Sequence, residues 1–453
     1  MSKRQREGLR FPWSRSERRV PRLVVRPLQA FLDTEAASGS LVLAGAAVAL
    51  VWANSPWREA YATVWETDLT VRLGQWAISH DLRHWVNDAL MAIFFFVVGL
   101  EIKREAVIGE LRQPRAAALP AIAALGGMVV PALLYLALNP GGEAARGWGI
   151  PMATDIAFAV GVLSLAGRRA PPSLKLFLLA LAIVDDIGAI LVIALFYTAE
   201  VEAAALIAAA ALLGLMVLLR RLEIMAQPVY VLLGIGVWLA VHASGVHATI
   251  AGVAVGFVTP TVPFQRPRAV SDEAVRVADE TEDDPSPPDA DAHHWMHLAT
   301  LSREAVSPLT RMEHLLHPWT SYVIVPLFAV ANAGVGLEAG SLAEPRVLRL
   351  AAGVAVGLVV GKMVGIAGAA WLAVKLGLAR LPTGVDRRHV LAAGAVAGIG
   401  FTVSLFISDL AFGQDDLRAA AKLGILAGSL LAGAVGTVLL RRASRPGPRA
   451  SPP

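Results

Sequence analysis

The chain has 453 residues, of which 56% are hydrophobic and 17% charged, and its formal net charge is +4. Soluble domains have roughly 45–50% apolar and about 25% charged residues, so this composition excludes an acidic disordered chain and favours a membrane protein. It has no cysteine, which excludes a disulfide-stapled secreted domain, and its basic residues lie in short segments between apolar runs, which argues against nucleic-acid binding.

Long apolar runs follow one another along most of the chain. A helix needs roughly 20 apolar residues to cross the hydrocarbon layer of a bilayer. The runs therefore predict an all-α polytopic membrane protein with twelve transmembrane helices. The predicted spans are residues 38–54, 84–101, 117–138, 149–166, 173–197, 203–219, 228–242, 247–260, 318–336, 350–374, 389–409 and 419–440.

The segments outside the spans define the predicted organisation. It comprises a basic cytoplasmic N-terminal tail (1–35), helices 1–8 (36–263), an acidic cytoplasmic loop (264–310), helices 9–12 (311–441) and a cytoplasmic C-terminal tail (442–453). The basic tail either attracts anionic lipid or serves as a disordered topology anchor. The acidic loop cannot bury a core, so we expect disorder there. Its histidines, His293, His294 and His297, are either a metal site or part of a solvated loop.

The distribution of Lys and Arg orients the predicted helices. With the N terminus inside, the inner segments and the span ends beside them carry 31 of these residues, and the outer ones carry 8. Cytoplasmic segments are expected to hold such an excess. We therefore expect both termini to be cytoplasmic.

Four ionisable groups stand out in the interior of predicted spans, where each costs about 2.5–3.5 kcal/mol even on lenient scales. They are Asp155 in the fourth span, Asp185 and Asp186 in the fifth, and Lys362 in the tenth. Neighbouring carboxylates in a poorly solvated place resist ionising together, and they can hold a proton or bind a hard cation through oxygen. This competition is the chemistry of an exchanger, and the alternative is a structural polar pair.

Two of the predicted spans contain helix-breaking residues. The fourth has Pro151 shortly before Asp155, and the eleventh has Gly394, Gly398 and Gly400. Interrupted helices at matching places in two halves point to a transporter site. The third to fifth and tenth to twelfth spans begin on opposite faces, which predicts an inverted-topology repeat. Asp155 could then neutralise the positive ends of the half-helices.

Several long motifs make the sequence resemble the NhaA-type sodium/proton antiporters, over nearly the whole chain. The motifs are NDALMA at 87–92, VGLEIKRE at 98–105, ATDIAFA at 153–159, ALAIVDDIGAI at 180–190, SGVHAT at 244–249, EHLLHPW at 313–319 and GFT at 400–402. The resemblance implies a bacterial inner-membrane antiporter, not an enzyme. It would export Na⁺ or Li⁺ in exchange for two H⁺, driven by the membrane potential and regulated by pH.

The resemblance also implies a role for individual residues. Asp186 would be the principal carboxylate for the cation and the proton, with Asp185 beside it, so that both bind the transported Na⁺. Thr154 and Asp155 would lie where two interrupted helices, the fourth and the eleventh, cross near the midplane. Lys362 would be either a proton carrier or a structural ion-pair partner of Asp185. A cytoplasmic pH-sensing cluster would comprise Glu101, Glu105, Glu313, His314 and His317, with His247 on the other side.

Partners and alternatives follow from the same reading. The expected partners are Na⁺, Li⁺, H⁺, membrane lipid and a second copy in a homodimer, and we expect neither a cofactor nor nucleic acid. His247 could instead be an ordinary histidine at a loop edge. The family has proline where this chain has Met363, so the resemblance leaves the helix geometry near Lys362 open. An intramembrane aspartyl protease or a cation channel of the same architecture are the alternative functions.

Overall fold

The computed structural model describes residues 35–74, 76–165, 171–198, 201–224, 227–282, 292–336 and 344–443. Its helices are α1 (Glu35–Ala53), α2 (Arg58–Trp65), α3 (Leu82–Val107), α4 (Pro114–Leu138), α5 (Ile156–Leu165), α6 (Pro172–Phe196), α7 (Ala203–Arg221), α8 (Gln227–Ala243), α9 (Thr249–Val258), α10 (Pro267–Glu282), α11 (Ala292–Glu304), α12 (Pro308–Asn332), α13 (Pro345–Lys375), α14 (Arg387–Val396), α15 (Phe401–Ala411) and α16 (Asp415–Ala443). Two 3₁₀ helices, Glu110–Arg112 and Glu143–Met152, complete the helical segments of these ranges. Most of the N-terminal tail, the C-terminal tail from residue 444 and residues 283–291 lie outside the described residues.

The helices support a polytopic membrane protein. Within the described ranges, seven are long and apolar enough to cross a membrane, and three bent pairs raise this number to ten. The remaining two predicted spans correspond to α8 and α9, which have 17 and 10 residues and are shorter than a straight span. Every predicted span overlaps a helical segment. The count of twelve crossings stays a prediction.

The chain is bent at both places where the sequence places helix breakers. The 3₁₀ helix Glu143–Met152 meets α5 at 43°, and α14 meets α15 at 50°. Residues 153–155 and 397–400 form the two breaks. They touch each other, because the backbone N–H of Asp155 donates to the carbonyl oxygen of Ile399 over 2.6 Å. Backbone groups freed from helical pairing thus find partners in the other break, as a membrane interior requires.

Two segments of the structure differ from the prediction of an all-α fold with a disordered loop at 264–310. Strands β1 (Asp68–Leu73) and β2 (Trp76–Asp81) form an antiparallel hairpin that is not among the predicted elements. The alternation of Leu69 and Val71 with polar residues favours a strand, and Gly74 has the positive φ of 61° that a tight turn favours.

The expectation of disorder over 264–310 is wrong for α10 and α11. Val270 and Val277 lie seven residues apart on one face of α10 and are buried, and α10 packs against α11. Asp272 and Asp279 of α10 are exposed, so composition alone concealed an amphipathic helix.

Close helix packing positions α13, which carries Lys362, and α3, which carries Glu101. Gly365 of α13 faces Gly126 of α4, and a Cβ added to Gly365 would clash with the Gly126 carbonyl oxygen. At Gly99 of α3, a Cβ would come within 2.9 Å of the carbonyl oxygen of Val253 on α9. Small residues allow such close approach between membrane helices. This packing holds α13 and α3 firmly against their neighbours.

Candidate ion-binding site

Asp185 is the centre of a buried polar network. It projects from the middle of α6 and is fully buried. Its Oδ2 atom accepts a hydrogen bond of 2.6 Å from Thr154 Oγ1 and forms an ion pair with Lys362 Nζ. Its Oδ1 atom is buried and has no hydrogen-bond partner among the described residues. One oxygen of this carboxylate is therefore saturated, and the other has an unused lone pair in a dry environment.

Asp186 lies next to Asp185 but has a different environment. Successive helical residues point about 100° apart, so its carboxylate leaves α6 in another direction. Asp186 is 7% exposed, and no hydrogen bond joins its side chain to any residue that the structure describes. It lies within electrostatic range of Asp185, Asp155 and Glu101. A buried carboxylate among other acids is stable when it holds a proton or a cation.

Lys362 supplies the only positive charge that contacts Asp185 within the described ranges. Its side chain is fully buried, and it follows a π-helical turn at Gly357–Gly361. Such turns shift the helical register by one residue and recur at functional sites. A buried ammonium must be paired, and Asp185 is its partner.

Asp155 accepts hydrogen bonds at the N-termini of the two helices that follow the breaks, α5 and α15. Its Oδ1 atom accepts from the backbone N–H of Phe158, in the first turn of α5, over 3.2 Å. Its Oδ2 atom accepts from the backbone N–H and the hydroxyl of Thr402, in the first turn of α15, over 3.2 and 2.5 Å. A carboxylate here neutralises the positive ends of two helix dipoles.

Thr154 connects the break before α5 to the break before α15. Its hydroxyl lies 2.6 Å from Asp185 Oδ2 and 2.8 Å from the carbonyl oxygen of Ala397. A hydroxyl carries a single proton, so it can donate to only one of these two acceptors at a time. The ion-pair network and the backbone of the second break therefore share one hydrogen atom.

The acidic and histidine residues predicted as a pH-sensing cluster also come together. Arg104 of α3 forms an ion pair with Glu313 of α12, and it lies 3.7 Å from Glu105. Glu101 and His317 interact electrostatically with Glu313.

His314 and His247 complete the predicted set, at different places. His314 lies within electrostatic range of His317. His247 follows α8 and lies apart from this cluster, within electrostatic range of Asp88 and His84. His247 therefore lies near the end of α3 that is opposite to Glu101.

Some polar residues of the site were missed from sequence. Thr402 and Ser404 received no role, yet Thr402 binds Asp155, and the Ser404 hydroxyl donates to the carbonyl oxygen of Ile150 over 2.7 Å. Both follow Gly400 within about one turn, which was the available signal. A second ion pair inside the protein, between Lys422 and Asp409 at 2.9 Å, was also missed because each lies near a span end.

Residues 29–440 match the family described as Na⁺/H⁺ antiporter 1. The chain belongs to this family. Its relatives include proteins named Na(+)/H(+) antiporter NhaA 2 from Sorangium cellulosum, with 46% identity over 95% of this chain and 92% of the relative, and from Myxococcus xanthus, with 47% identity over 95% and 93%. A protein named Na(+)/H(+) antiporter NhaA from an Anaeromyxobacter species is 48% identical over 95% and 94%.

The match confirms the resemblance drawn from the motifs. It identifies a multi-pass protein of a transporter family rather than a family of catalytic enzymes. The four charged residues predicted from the sequence lie within this family match, and the geometry above shows how they are arranged.

Proposed function

We propose that the chain exchanges Na⁺ or Li⁺ for H⁺ across the bacterial inner membrane, with two protons entering for each cation exported. The observation that carries this proposal is the burial of Asp185 and Asp186 side by side, with Lys362 paired to the first and no hydrogen-bonding side chain at the second among the described residues. The names of the relatives support sodium/proton exchange as the reaction.

The ligands around α6 suit a small hard cation. Asp185 Oδ1, the two oxygens of Asp186 and the Thr154 hydroxyl provide oxygen donors, which Na⁺ and Li⁺ bind by analogy with other hard cations. Binding would bring positive charge to Asp185 and weaken its hold on Lys362. The same oxygens bind protons, so cation and proton compete for one site.

The charge balance favours two protons for each cation. One leaves Asp186 when a cation binds there, and the second leaves Lys362 when Asp185 turns to the cation. Exchange of one Na⁺ for two H⁺ moves a net charge, which the membrane potential drives by about 2.3 kcal/mol per charge per 100 mV. In this proposal Lys362 is a proton carrier, and its ion pair with Asp185 belongs to the proton-loaded state.

The two broken helices supply the moving part of the proposed mechanism. Breaks 153–155 and 397–400 meet beside Asp185, so rocking of one helix assembly against the other would expose the carboxylates to one side at a time. Twelve crossings, an inverted repeat and cytoplasmic termini complete this arrangement. The cluster around Glu313 and Arg104 would sense cytoplasmic pH, because its groups lie at one end of α3 and α12.

The test is transport by the full-length chain in proteoliposomes. With a ΔpH imposed, addition of Na⁺ or Li⁺ should release luminal protons and restore the fluorescence of a pH-gradient dye, whereas K⁺ serves as the comparison ion. Asp186→Asn should abolish this signal. Asp409→Asn, which removes another Asp inside the protein away from the site, should retain it. Proton release that persists in Asp186→Asn would overturn the site assignment.

A second measurement addresses stoichiometry and the channel alternative. The reversal potential, measured against both gradients, should give two protons per cation in the wild type. Arginine is never deprotonated in proteins, so Lys362→Arg should carry one proton per cation and become electroneutral. An unchanged stoichiometry in this variant would refute the carrier role of Lys362. Cation flux without any proton coupling would identify a channel.

A further inference from the structure

Three histidines from separate elements converge at the end of α3 opposite to Glu101. His80 lies in β2, His84 in the first turn of α3, and His242 in the last turn of α8. One ring nitrogen from each lies within 4.8 Å of those of the other two. The His80 and His84 rings are stacked with their centroids 4.1 Å apart. Two distant parts of the sequence thus bring three imidazoles to one point.

A carboxylate lies beside this triad. Asp88 Oδ2 is 3.3 Å from His84 Nε2 and 3.4 Å from His242 Nδ1. His84 Nε2 is itself buried and has no hydrogen-bond partner in the described ranges, because its approach to Asp88 lacks hydrogen-bond geometry. Among the described residues, the approach to Asp88 is therefore the only polar side-chain contact that this nitrogen makes.

We propose that His80, His84 and His242 bind a divalent transition-metal ion of the Zn²⁺ class, with Asp88 completing or orienting the ligand set. Imidazole nitrogens suit Zn²⁺, Cu²⁺ and Ni²⁺, whereas Na⁺ and Ca²⁺ prefer oxygen. Zn–N bonds of about 2.0–2.1 Å require the three nitrogens to approach by small rotations of the rings. This site is separate from the carboxylates of α6 and does not depend on the transport proposal.

The bound metal would join the hairpin and α3 to α8. The same contact holds a stacked pair, Trp85 with Trp238, and a hydrogen bond of 3.4 Å from Trp238 Nε1 to the backbone oxygen of Asp88. The His84 and His242 side chains are 40% and 28% exposed, so an ion can enter from solvent. By the predicted topology this entrance faces the outside. A metal here would fix α8 against α3.

The test uses the purified full-length chain without a histidine tag, stripped of metal. Co²⁺ should produce the visible absorption of a tetrahedral site at one equivalent, and Zn²⁺ should abolish that absorption by displacing it. The triple variant His80→Ala/His84→Ala/His242→Ala should lose the absorption. The matched variant His293→Ala/His294→Ala/His297→Ala, which removes three histidines from α11, should retain it. Asp88→Asn should weaken metal affinity about 10–100-fold, as removal of an orienting partner typically does.

Stability measurements exclude a trivial folding defect. Without metal, the triple variant should elute from a sizing column as the wild type does. Zn²⁺ should raise the melting temperature of the wild type and of the α11 variant but not that of the triple variant. Absence of the Co²⁺ band in the wild type, or its presence in the triple variant, would overturn the proposal.

Discussion

Removing the charge of Lys362 should destabilise the protein by several kcal/mol. Both members of the Lys362–Asp185 pair are fully buried, and Asp185 retains one oxygen without a hydrogen bond among the described residues. Lys362→Met would leave the Asp185 charge with the Thr154 hydroxyl alone. Loss of one partner of a buried ion pair typically costs about 3–5 kcal/mol, because the remaining charge stays desolvated.

A second substitution should reverse most of this loss. In Asp185→Asn/Lys362→Met neither side chain is charged, and the carbonyl oxygen of the introduced amide can still accept from Thr154. Neutral replacements of a buried pair are often no less stable than the pair itself. The free energies of unfolding of the wild type, both single variants and the double variant, measured in mixed micelles, give the coupling energy directly. A double variant as unstable as Lys362→Met would refute the reasoning.

The Lys422–Asp409 pair provides a matched control. Arg418 remains 3.6 Å from Asp409 when Lys422 is replaced, so Lys422→Met should cost less than Lys362→Met. It should also leave the KM for Na⁺ unchanged, because the pair lies outside the candidate site. A change in KM as large as that of Lys362→Met would show that the effect is not specific to the site.

Three further predictions concern packing, capping and pH response. Gly365→Ala should lower the free energy of unfolding by about 1–3 kcal/mol, because the added Cβ clashes with the backbone of α4. Gly368→Ala should raise it by up to about 1 kcal/mol, because a Cβ there meets nothing within 4 Å. Thermal unfolding distinguishes the two variants. Asp386 caps α14, and hydrogen bonds from the helix lower its pKa although partial burial acts to raise it. Asp386→Ala should cost about 0.5–2 kcal/mol of unfolding free energy at neutral pH. Unfolding at a series of pH values should show that the stability difference between wild type and variant vanishes as pH falls through that lowered pKa. Glu313→Gln should shift the pH of half-maximal transport by less than about one unit, because a partly exposed ion pair contributes about 0.2–1 kcal/mol; the surface variant Glu273→Gln should not shift it.

The membrane charges could be predicted because burial makes them conspicuous. Asp155, Asp185, Asp186 and Lys362 interrupt apolar runs, and such residues are expensive enough to signal a site. Pro151 likewise signalled the first break. The structure adds which atoms meet, such as Thr154 Oγ1 with Asp185 Oδ2.

The remaining contacts could not be predicted because they join residues far apart in sequence. The carbonyl of Ala397 carries no side-chain signal, yet it binds Thr154 over a separation of 243 residues. His80 and His242 give no signal singly, and only the packing of α8 near the hairpin brings them together. The α10 helix was missed for another reason. Its acidic composition obscured the seven-residue spacing of Val270 and Val277.

The shared hydrogen atom of Thr154 has a thermodynamic consequence. The hydroxyl can donate to Asp185 when that carboxylate is charged, and to Ala397 when a bound cation or proton neutralises it. Ligand binding at Asp185 is then coupled to the conformation of the break at 397–400. Thermodynamic linkage then requires that the break changes the free energy of cation binding by the same amount as the bound cation changes the conformational free energy of the break. A substitution that alters only the backbone near Ala397 would appear as a change in cation affinity, and saturating cation would in turn change the protection of that backbone from hydrogen exchange.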